Sequence, residues 1–372
     1  MTEELSFRFR QKRILVVGNG FVRITQGREA YVNRHTAVFL TDLATRGYRI
    51  AFAQPFWRTE SSGGLNDGFL PPEAIKLVEL DKKHPGRLLS CMIEVLRADF
   101  VYLFFPGSWA RLFGRLCLAL GKPFGIYLRG EQFSDSGADA RLIQNAQRVC
   151  TVAGLEQRVE SLGGTAMPIA PMLDMNLSDA LSKEIPLDTP TRPLRILFVG
   201  RLEQAKGIPE LVDAAERLWA DGLDFEMRLV GGGPLYDDLA SHISASGGLP
   251  IQLVGLIADK KHLMDEYAWT DILVLPTHHE GFPRVLYEAM LTSCVILTTF
   301  VGGISSLMKD AGNCVELPLR DAEGLAQAIR KIAGDRRLMR RLSQAGKATV
   351  INVLETRPKH LTAVLEMIDA KS

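Results

Sequence analysis

The sequence predicts an α/β protein made of two doubly wound, parallel-sheet, Rossmann-like domains in tandem. Three observations carry this: the length, the alternation of strand and helix patterns, and a repeated opening. At 372 residues the chain is too long for one ordinary core and suits two α/β domains. Short apolar runs alternate with helix-length amphipathic stretches, the pattern of βαβ units and a parallel sheet. Arg13-Ile-Leu-Val-Val runs into Gly18-Asn-Gly20, and Arg195-Ile-Leu-Phe-Val runs into Gly200-Arg201, so the two halves begin alike.

In chain order, the first strand covers 13–20 and enters a glycine turn. An amphipathic helix is expected over 30–46, a strand over 48–53, and a loop over 60–70, where Ser, Gly, Asn and Asp cluster. Further strands fit 100–105, 123–128 and 148–153. In the second half a strand at 195–201 precedes a helix from 208, and strands follow at 226–230, 251–254, 272–275 and 295–299. Between the halves, Pro186, Pro190 and Pro193 disfavour both helix and sheet and suit a linker. The expected organisation is a first domain over 1–182, a linker over 183–194 and a second domain over 195–355. A terminal helix within 356–372 is free to pack on either domain, a return to the first included. Ligands of such sheets bind at the carboxyl ends of the strands, so two facing sheets put the expected site in an interdomain cleft.

Composition narrows the function. Lys plus Arg (44) nearly balance Asp plus Glu (43), so no global field calls for nucleic acid and any anion site must be local. The five cysteines, Cys91, Cys117, Cys150, Cys294 and Cys314, form no C-x-x-C pair and no Cys/His cluster, which favours reduced, buried thiols. The N-terminus carries charges where a signal peptide needs an apolar core, and no uninterrupted apolar run reaches the roughly 18 residues of a membrane span. The expected location is cytoplasmic, with the inner membrane face as the alternative.

The second half carries the candidate site. Arg201 follows a strand at the carboxyl edge, and Lys206-Gly207-Ile-Pro209 opens a helix, so both cations reach one point where a diphosphate needs charge-assisted hydrogen bonds. Two solvated surface cations are the plain alternative. Val230-Gly-Gly-Gly-Pro234, with Gly232 at its centre, lets backbone approach a ligand; a simple turn explains it equally. The pair Gly18 and Gly20 lacks the third glycine of a dinucleotide fingerprint. In Glu280-Gly-Phe-Pro-Arg-Val-Leu-Tyr-Glu288 a helix opens near Phe282 and Pro283, and its N–H groups and dipole favour phosphate. Glu288, about two turns in, is suited to a ribose diol, and Glu280 to a sugar. Each carboxylate taken singly is also explained as an ordinary helix residue.

Strand-Gly-Arg-Leu-x₃-Lys-Gly, Val-Gly-x-Gly-Pro, Val-Gly and Glu-Gly-Phe-Pro-x₄-Glu-Ala-Met occur in that order, each after an expected strand. Together they resemble the retaining glycosyltransferases of family 4, which have the GT-B fold. The resemblance is strong over 195–335 and weak but order-preserving over 13–175. It implies a metal-independent transfer of a sugar from a nucleotide-diphosphate donor, UDP-sugar favoured, to a hydroxyl on a glycan or glycolipid. No separate cofactor is implied. It also implies that Arg201 and Lys206 bind the donor diphosphate, and that Glu280 contacts the donor sugar. Gly200 and Gly232 would border the donor, Gly281, Phe282 and Pro283 would offer backbone to sugar and phosphate, Glu288 would hold the ribose, and Leu256 would sit by the base. No Asp-x-Asp pair occurs, so no metal ligand set is expected and protein cations would replace a metal clamp.

The first half departs from the pattern. Family members often place a His after the strand that here ends at Leu128; this chain has Arg129-Gly130-Glu131, and none of its seven histidines lies nearby in sequence. Arg129 is therefore a candidate for a role at the reacting centre, against a structural salt bridge. The segment 106–120 carries Trp109, Arg111, Phe113 and Arg115 on an amphipathic helix. It is suited to touch an anionic membrane holding a lipid-linked acceptor, although a helix packed on the sheet is the ordinary expectation. Alternatives on the same fold are a phosphorylase, an epimerase, a hydrolase, or a silent nucleotide-sugar-binding protein.

Overall fold

The computed structural model describes residues 11–25, 28–59, 67–81, 83–173 and 192–370. Two compact units divide the chain, one of residues 1–169 with 358–372, the other of 170–357. Most of the linker expected at 183–194 lies outside the described residues, and Leu194 already opens a strand.

The first unit contains β1 (Arg13–Val17), β2 (Val22–Ile24), β3 (Ala30–Val32), α1 (Arg34–Thr45), β4 (Arg49–Gln54), β5 (Phe56–Arg58), β6 (Gly68–Leu70) and β7 (Ile75–Glu79). It continues with α2 (Pro85–Arg97), β8 (Phe100–Phe105), α3 (Ser108–Leu120), β9 (Phe124–Leu128), α4 (Gly137–Asn145), β10 (Val149–Thr151), α5 (Glu156–Ser161) and β11 (Ala166–Pro168). A seven-stranded parallel sheet runs in the order β11-β10-β9-β8-β1-β4-β7. From β1 the chain builds one edge through β4 and β7, then crosses back to build the other from β8. The order therefore reverses between β1 and β8, where ligands of doubly wound sheets bind.

Side chains alternate between the two faces of this sheet, as the strand pleat requires. Leu15, Val17, Val101 and Leu103 pack with Phe113 and Cys117 of α3 on one face. On the other, Tyr102 and Phe104 meet Phe39 of α1 and His360 of a C-terminal helix, His360–Asp369. That helix returns to this unit, where Lys12 Nζ donates to the Ile368 carbonyl at 2.6 Å. α3 buries Ala110, Phe113, Gly114 and Cys117, and Arg111 is held by Asp139 through two 2.8 Å hydrogen bonds. All five cysteines are buried free thiols.

Two expectations change. The helix placed over 30–46 begins only at Arg34, because Ala30–Val32 is a strand ended by Asn33, whose side chain caps α1 through the His35 N–H. That strand belongs to a second, four-stranded sheet of order β5-β2-β3-β6, whose last strand also replaces the end of the loop expected at 60–70. Residues 60–66 of that loop lie outside the described residues.

The second unit contains β12 (Leu194–Val199), α6 (Ile208–Ala220), β13 (Phe225–Val230), α7 (Tyr236–Ala245), β14 (Ile251–Gly255), α8 (Lys260–Trp269) and β15 (Ile272–Leu275). α9 (Arg284–Leu291), β16 (Val295–Thr299), β17 (Val315–Leu317), α10 (Ala322–Ala333) and α11 (Arg336–Thr356) complete it. Its six strands, all parallel, run β14-β13-β12-β15-β16-β17, so the reversal falls between β12 and β15. The loops that follow those two strands carry the Gly-Arg-Leu and Glu-Gly-Phe-Pro motifs.

Candidate functional site

In the second unit, Gly200 extends the β12 ladder by donating to the Val230 carbonyl at 3.0 Å, and Arg201 emerges at the strand end. The Arg201 side chain is 67% exposed and pairs with Glu203 at 3.1 Å. A 3-10 turn, Gln204–Lys206, then leads into α6 through Gly207 at φ +69°. A Cβ on Gly207 would lie 2.1 Å from the Pro276 carbonyl oxygen, so only glycine lets this turn close against the loop after β15. His278 N–H and Thr277 Oγ1 both donate to the Ala205 carbonyl, at 2.8 and 3.2 Å, and His278 Nε2 meets Glu210 at 3.0 Å. The two loops are thus pinned together at the switch point.

Across this seam Lys206 Nζ donates to the Glu280 carboxylate, with both side chains largely buried. Beyond Glu280, the N–H groups of Gly281 and Phe282 have no acceptor among the described residues. Helix α9 starts at Arg284, two residues later than expected, with Pro283 as an N-cap that makes no side-chain capping bond. Phe282 is 8% exposed and packs its ring 4.5 Å from that of Tyr287. An uncapped helix start, free N–H groups and two cations are what an anionic oxygen requires.

Gly231 sits at φ +141°, where a Cβ would be 1.8 Å from the Gly200 carbonyl oxygen; Gly232 beside it faces open space. Gly232 accepts from the Leu202 N–H at 3.0 Å, which ties the glycine turn to the Arg201 loop. Leu256 follows the end of β14 and is 71% exposed. Glu288, by contrast, lies deeper: it is 8% exposed and accepts from the Tyr267 hydroxyl at 2.7 Å. Burial, then the adjacent carboxylate, pushes the Tyr267 phenol well above its ordinary range, so it remains a donor. Tyr267 carries no motif, and its spacing from Glu288 gives no sequence signal.

The structure thus gathers Gly200, Arg201, Lys206, Gly232 and Glu280 to Pro283 around the second switch point, with Leu256 further off, at the end of the edge strand β14. Arg129, Gly18 and Gly20 belong to the first unit, where they line one cavity. Gly18 and Gly20 offer it no free N–H. Gly18 N–H donates to the Ala53 carbonyl at 3.0 Å, and Gln54, with its amide turned to suit its neighbours, accepts from Gly20 at 3.0 Å and Phe21 at 3.1 Å. Asn19 Nδ2 spans the first switch point to the Pro106 carbonyl at 3.0 Å.

Arg129 N–H donates to the Phe105 carbonyl at 2.9 Å, and its guanidinium lies 5.7 Å from the Tyr127 ring centre and 5.9 Å from that of Phe104. The absence of histidine near Arg129 in sequence does not hold in space. His360, from the C-terminal helix, packs 4.3 Å from the Tyr127 ring. It is buried, and desolvation followed by the Arg129 charge lowers its pKa to about 3.

Residues 183–349 match the family described as Glycosyl transferases group 1. The second unit belongs to that family. Around this group 1 unit, the chain is 26% identical over 238 residues to the lipopolysaccharide core biosynthesis glycosyltransferase LpsE of Rhizobium meliloti (strain 1021), covering 60% of this chain and 64% of that protein. It is 32% identical over 206 residues to the amylovoran biosynthesis glycosyltransferase AmsK of Erwinia amylovora, covering 52% and 45%. The chain therefore spans 64% or less of the length of these curated relatives. Among solved structures, HepE of Anabaena in complex with UDP superposes with TM-score 0.66 at 17% identity, covering 96% of this chain and all of that one. Sucrose-phosphate synthase of Thermosynechococcus elongatus gives TM-score 0.62 at 17% identity, with 96% and 97% covered. The fold that accompanies the group 1 unit is GT-B, with two Rossmann-like domains.

Proposed function

We propose that the protein is a glycosyltransferase that moves a sugar from a nucleoside diphosphate to an acceptor hydroxyl in polysaccharide or glycolipid assembly. The observation that carries this is the convergence of Arg201, Lys206 and the uncapped start of α9 on the switch point of a group 1 unit. The bond from the anomeric carbon to the phosphate oxygen breaks, and the diphosphate leaves with the electron pair. The anomeric carbon bonds the acceptor oxygen, whose proton passes to the leaving phosphate or to water. Fixed positive charge where the diphosphate gains negative charge is the main catalytic requirement. Arg201, Lys206 and the Gly281 and Phe282 N–H groups are suited to it without a metal. Glu280, held by Lys206, faces the sugar, and Glu288, held by Tyr267, takes the ribose.

UDP-sugar is the favoured donor, since HepE is described in complex with UDP and with UDP-glucose. Retention of the anomeric configuration follows the family pattern of the Glu280–Glu288 motif. A lipid-carried acceptor is favoured by α2, where Leu89, Met92, Ile93 and Leu96, spaced as one helical face, are all exposed next to Arg97. Such contact would be peripheral, as no helix among the described residues is long and apolar enough to cross a membrane.

A thermal-shift panel of UDP-, GDP-, ADP- and dTDP-sugars tests the reading. One donor should raise the melting temperature in a saturable way, and its turnover should be slow until a hydroxyl acceptor is added. No stabilisation by any donor at millimolar concentration would overturn it, and fast turnover with phosphate or water alone would reassign the reaction to a phosphorylase or hydrolase.

A further inference from the structure

The foot of the first sheet, at the amino ends of its strands, carries cations that the candidate site does not use. Arg13 opens β1, Arg49 opens β4, and Lys76 is second in β7. Arg13 and Arg49 are register partners on adjacent parallel strands. All three share the face of Leu15, Ala51 and Val78, two residues further along each strand, where Cys91 and Val95 of α2 pack. With Glu94, Arg97 and Ala98 of α2 they line a cavity of about 290 Å³. Four cations meet one carboxylate there. Glu94 is shared between Lys76 at 2.6 Å and Arg97 at 3.5 Å. Arg49 Nε donates to the neutral Gln11 Oε1 at 3.2 Å, and neither Arg13 nor Arg49 has an ion pair among the described residues. Asp99 accepts from the backbone N–H of Arg13 at 2.8 Å, outside the cavity lining. Like charges in register on neighbouring strands repel, and an anion held between them offsets that cost. With a net charge of only +1 on the whole chain, this excess is local.

A second feature lies on the same helix. Leu89, Met92, Ile93 and Leu96, on the side of α2 turned away from the sheet, are 59%, 46%, 37% and 54% exposed. This apolar stripe runs up to Arg97 and so to the cavity. α3 ends beside it: Lys122 Nζ donates to the Leu96 and Ala98 carbonyls at 2.8 and 3.0 Å, which sets one more positive charge at the negative pole of α2. Near Lys122, Leu118 and Leu120 are exposed as well. An aliphatic stripe flanked by cations, with no aromatic anchor on α2, suits an anionic bilayer better than a protein partner, whose binding energy centres on aromatic residues. A second copy docked two-fold through this face would set the same cations against each other. We propose that the foot of the first unit docks on an anionic phospholipid bilayer. A headgroup phosphate sits among Arg13, Arg49, Lys76 and Arg97, and the α2 stripe enters the interface. The proposal rests on the transferase reading only for its purpose, holding the enzyme where a lipid-carried acceptor lies; the binding itself involves neither donor nor acceptor.

The test is co-sedimentation of the full chain with vesicles of phosphatidylcholine alone and of phosphatidylcholine mixed with phosphatidylglycerol, with UDP titrated in parallel. The anionic vesicles should bind about ten-fold or more tightly, and added salt should weaken the binding. Arg13→Gln with Arg49→Gln should lower it about ten-fold or more, since each charge near such a surface is worth about five-fold. Leu89→Gln with Leu96→Gln should remove the part that survives high salt. Lys331→Gln with Arg337→Gln, an equal loss of charge at exposed positions of the second unit, should leave binding unchanged. Every variant should keep the circular dichroism spectrum and the UDP affinity of the parent. Equal binding of both kinds of vesicle, or an equal loss in the second-unit variant, overturns the proposal. So does calorimetric binding of inorganic phosphate without vesicle binding, which would make the cavity a small-anion site. Self-association that Leu89→Gln with Leu96→Gln abolishes, again without vesicle binding, would make the face a contact between copies and overturn it too. If UDP binds and vesicles do not, this inference fails alone; if vesicles bind and UDP does not, the donor reading fails alone.

Discussion

Lys206 donates to the carboxylate of Glu280 across 74 positions of sequence, joining the turn after β12 to the loop after β15. Both partners are largely shielded from water, so removing the cation leaves a carboxylate facing the place where a diphosphate would lie. Lys206→Ala should lower kcat/KM for the donor on the order of 100-fold or more, as loss of a preorganised charge in such a site does. Lys206→Arg should restore part of it. Steady-state kinetics at varied donor concentration, beside a circular dichroism spectrum that matches the parent, makes the check; unchanged kcat/KM in Lys206→Ala would remove it from the site.

The buried Tyr267 hydroxyl holds Glu288 at 2.7 Å. Tyr267→Phe keeps the ring and deletes this donor to a buried carboxylate, which should cost about 1–3 kcal/mol of stability. Because Glu288 is also the proposed ribose ligand, donor KM should rise in the same variant. Urea denaturation and donor titration together test the pair, and a variant as stable as the parent would show that Glu288 is held by other groups.

Gly231 and Gly232 separate folding from binding. Alanine at 231 would drive a Cβ to 1.8 Å from the Gly200 carbonyl at an unfavourable φ, so Gly231→Ala should lower the melting temperature markedly. Gly232 faces open space, so Gly232→Ala should fold with stability within about 1 kcal/mol of the parent and lose donor affinity only. Thermal melts with and without UDP distinguish the two effects.

His360 sets an acid limit on the first unit. Its Nε2 lies 2.7 Å from the Tyr102 hydroxyl, its Nδ1 has no partner among the described residues, and Arg129 adds positive charge nearby. The folded imidazole therefore refuses a proton down to about pH 3, whereas the unfolded one takes it up near 6.5. Between those values the unfolded chain binds more protons, so stability falls as pH falls, by up to about 1.4 kcal/mol per pH unit from this group. His360→Phe keeps a ring against Phe39 and removes the titration. It should be less stable than the parent at pH 7.5, where the Tyr102 bond is lost, and the gap should narrow or reverse by pH 5. Urea midpoints across that range read it directly, and a constant gap would contradict the assignment.

Much of this was legible in the sequence, for reasons that particular residues make plain. The central strands are buried on both faces and read as unbroken apolar runs, as in 100–105 and 272–275, so they were placed to within a residue or two. The Gly-Arg-Leu-x₃-Lys-Gly and Glu-Gly-Phe-Pro motifs were legible because each sits directly after such a strand. The four-stranded sheet of the first unit was not, since its three-residue strands are too short for a period to register, and Ala30–Val32 merged into the helix that follows. The neighbours of Arg129 and Glu288 were hidden for another reason. His360 and Tyr267 reach them only through tertiary packing, and a buried aromatic side chain gives no sign of which polar atom it will meet.

The central claim is that the switch point of the group 1 unit holds the donor diphosphate, and a crystal structure of the protein with UDP tests it most directly. The expected result is a diphosphate in contact with Arg201 and Lys206 and accepting from the Gly281 or Phe282 N–H, with the ribose within hydrogen-bond reach of Glu288. A diphosphate bound away from these residues, or saturating UDP that leaves them vacant, would contradict it.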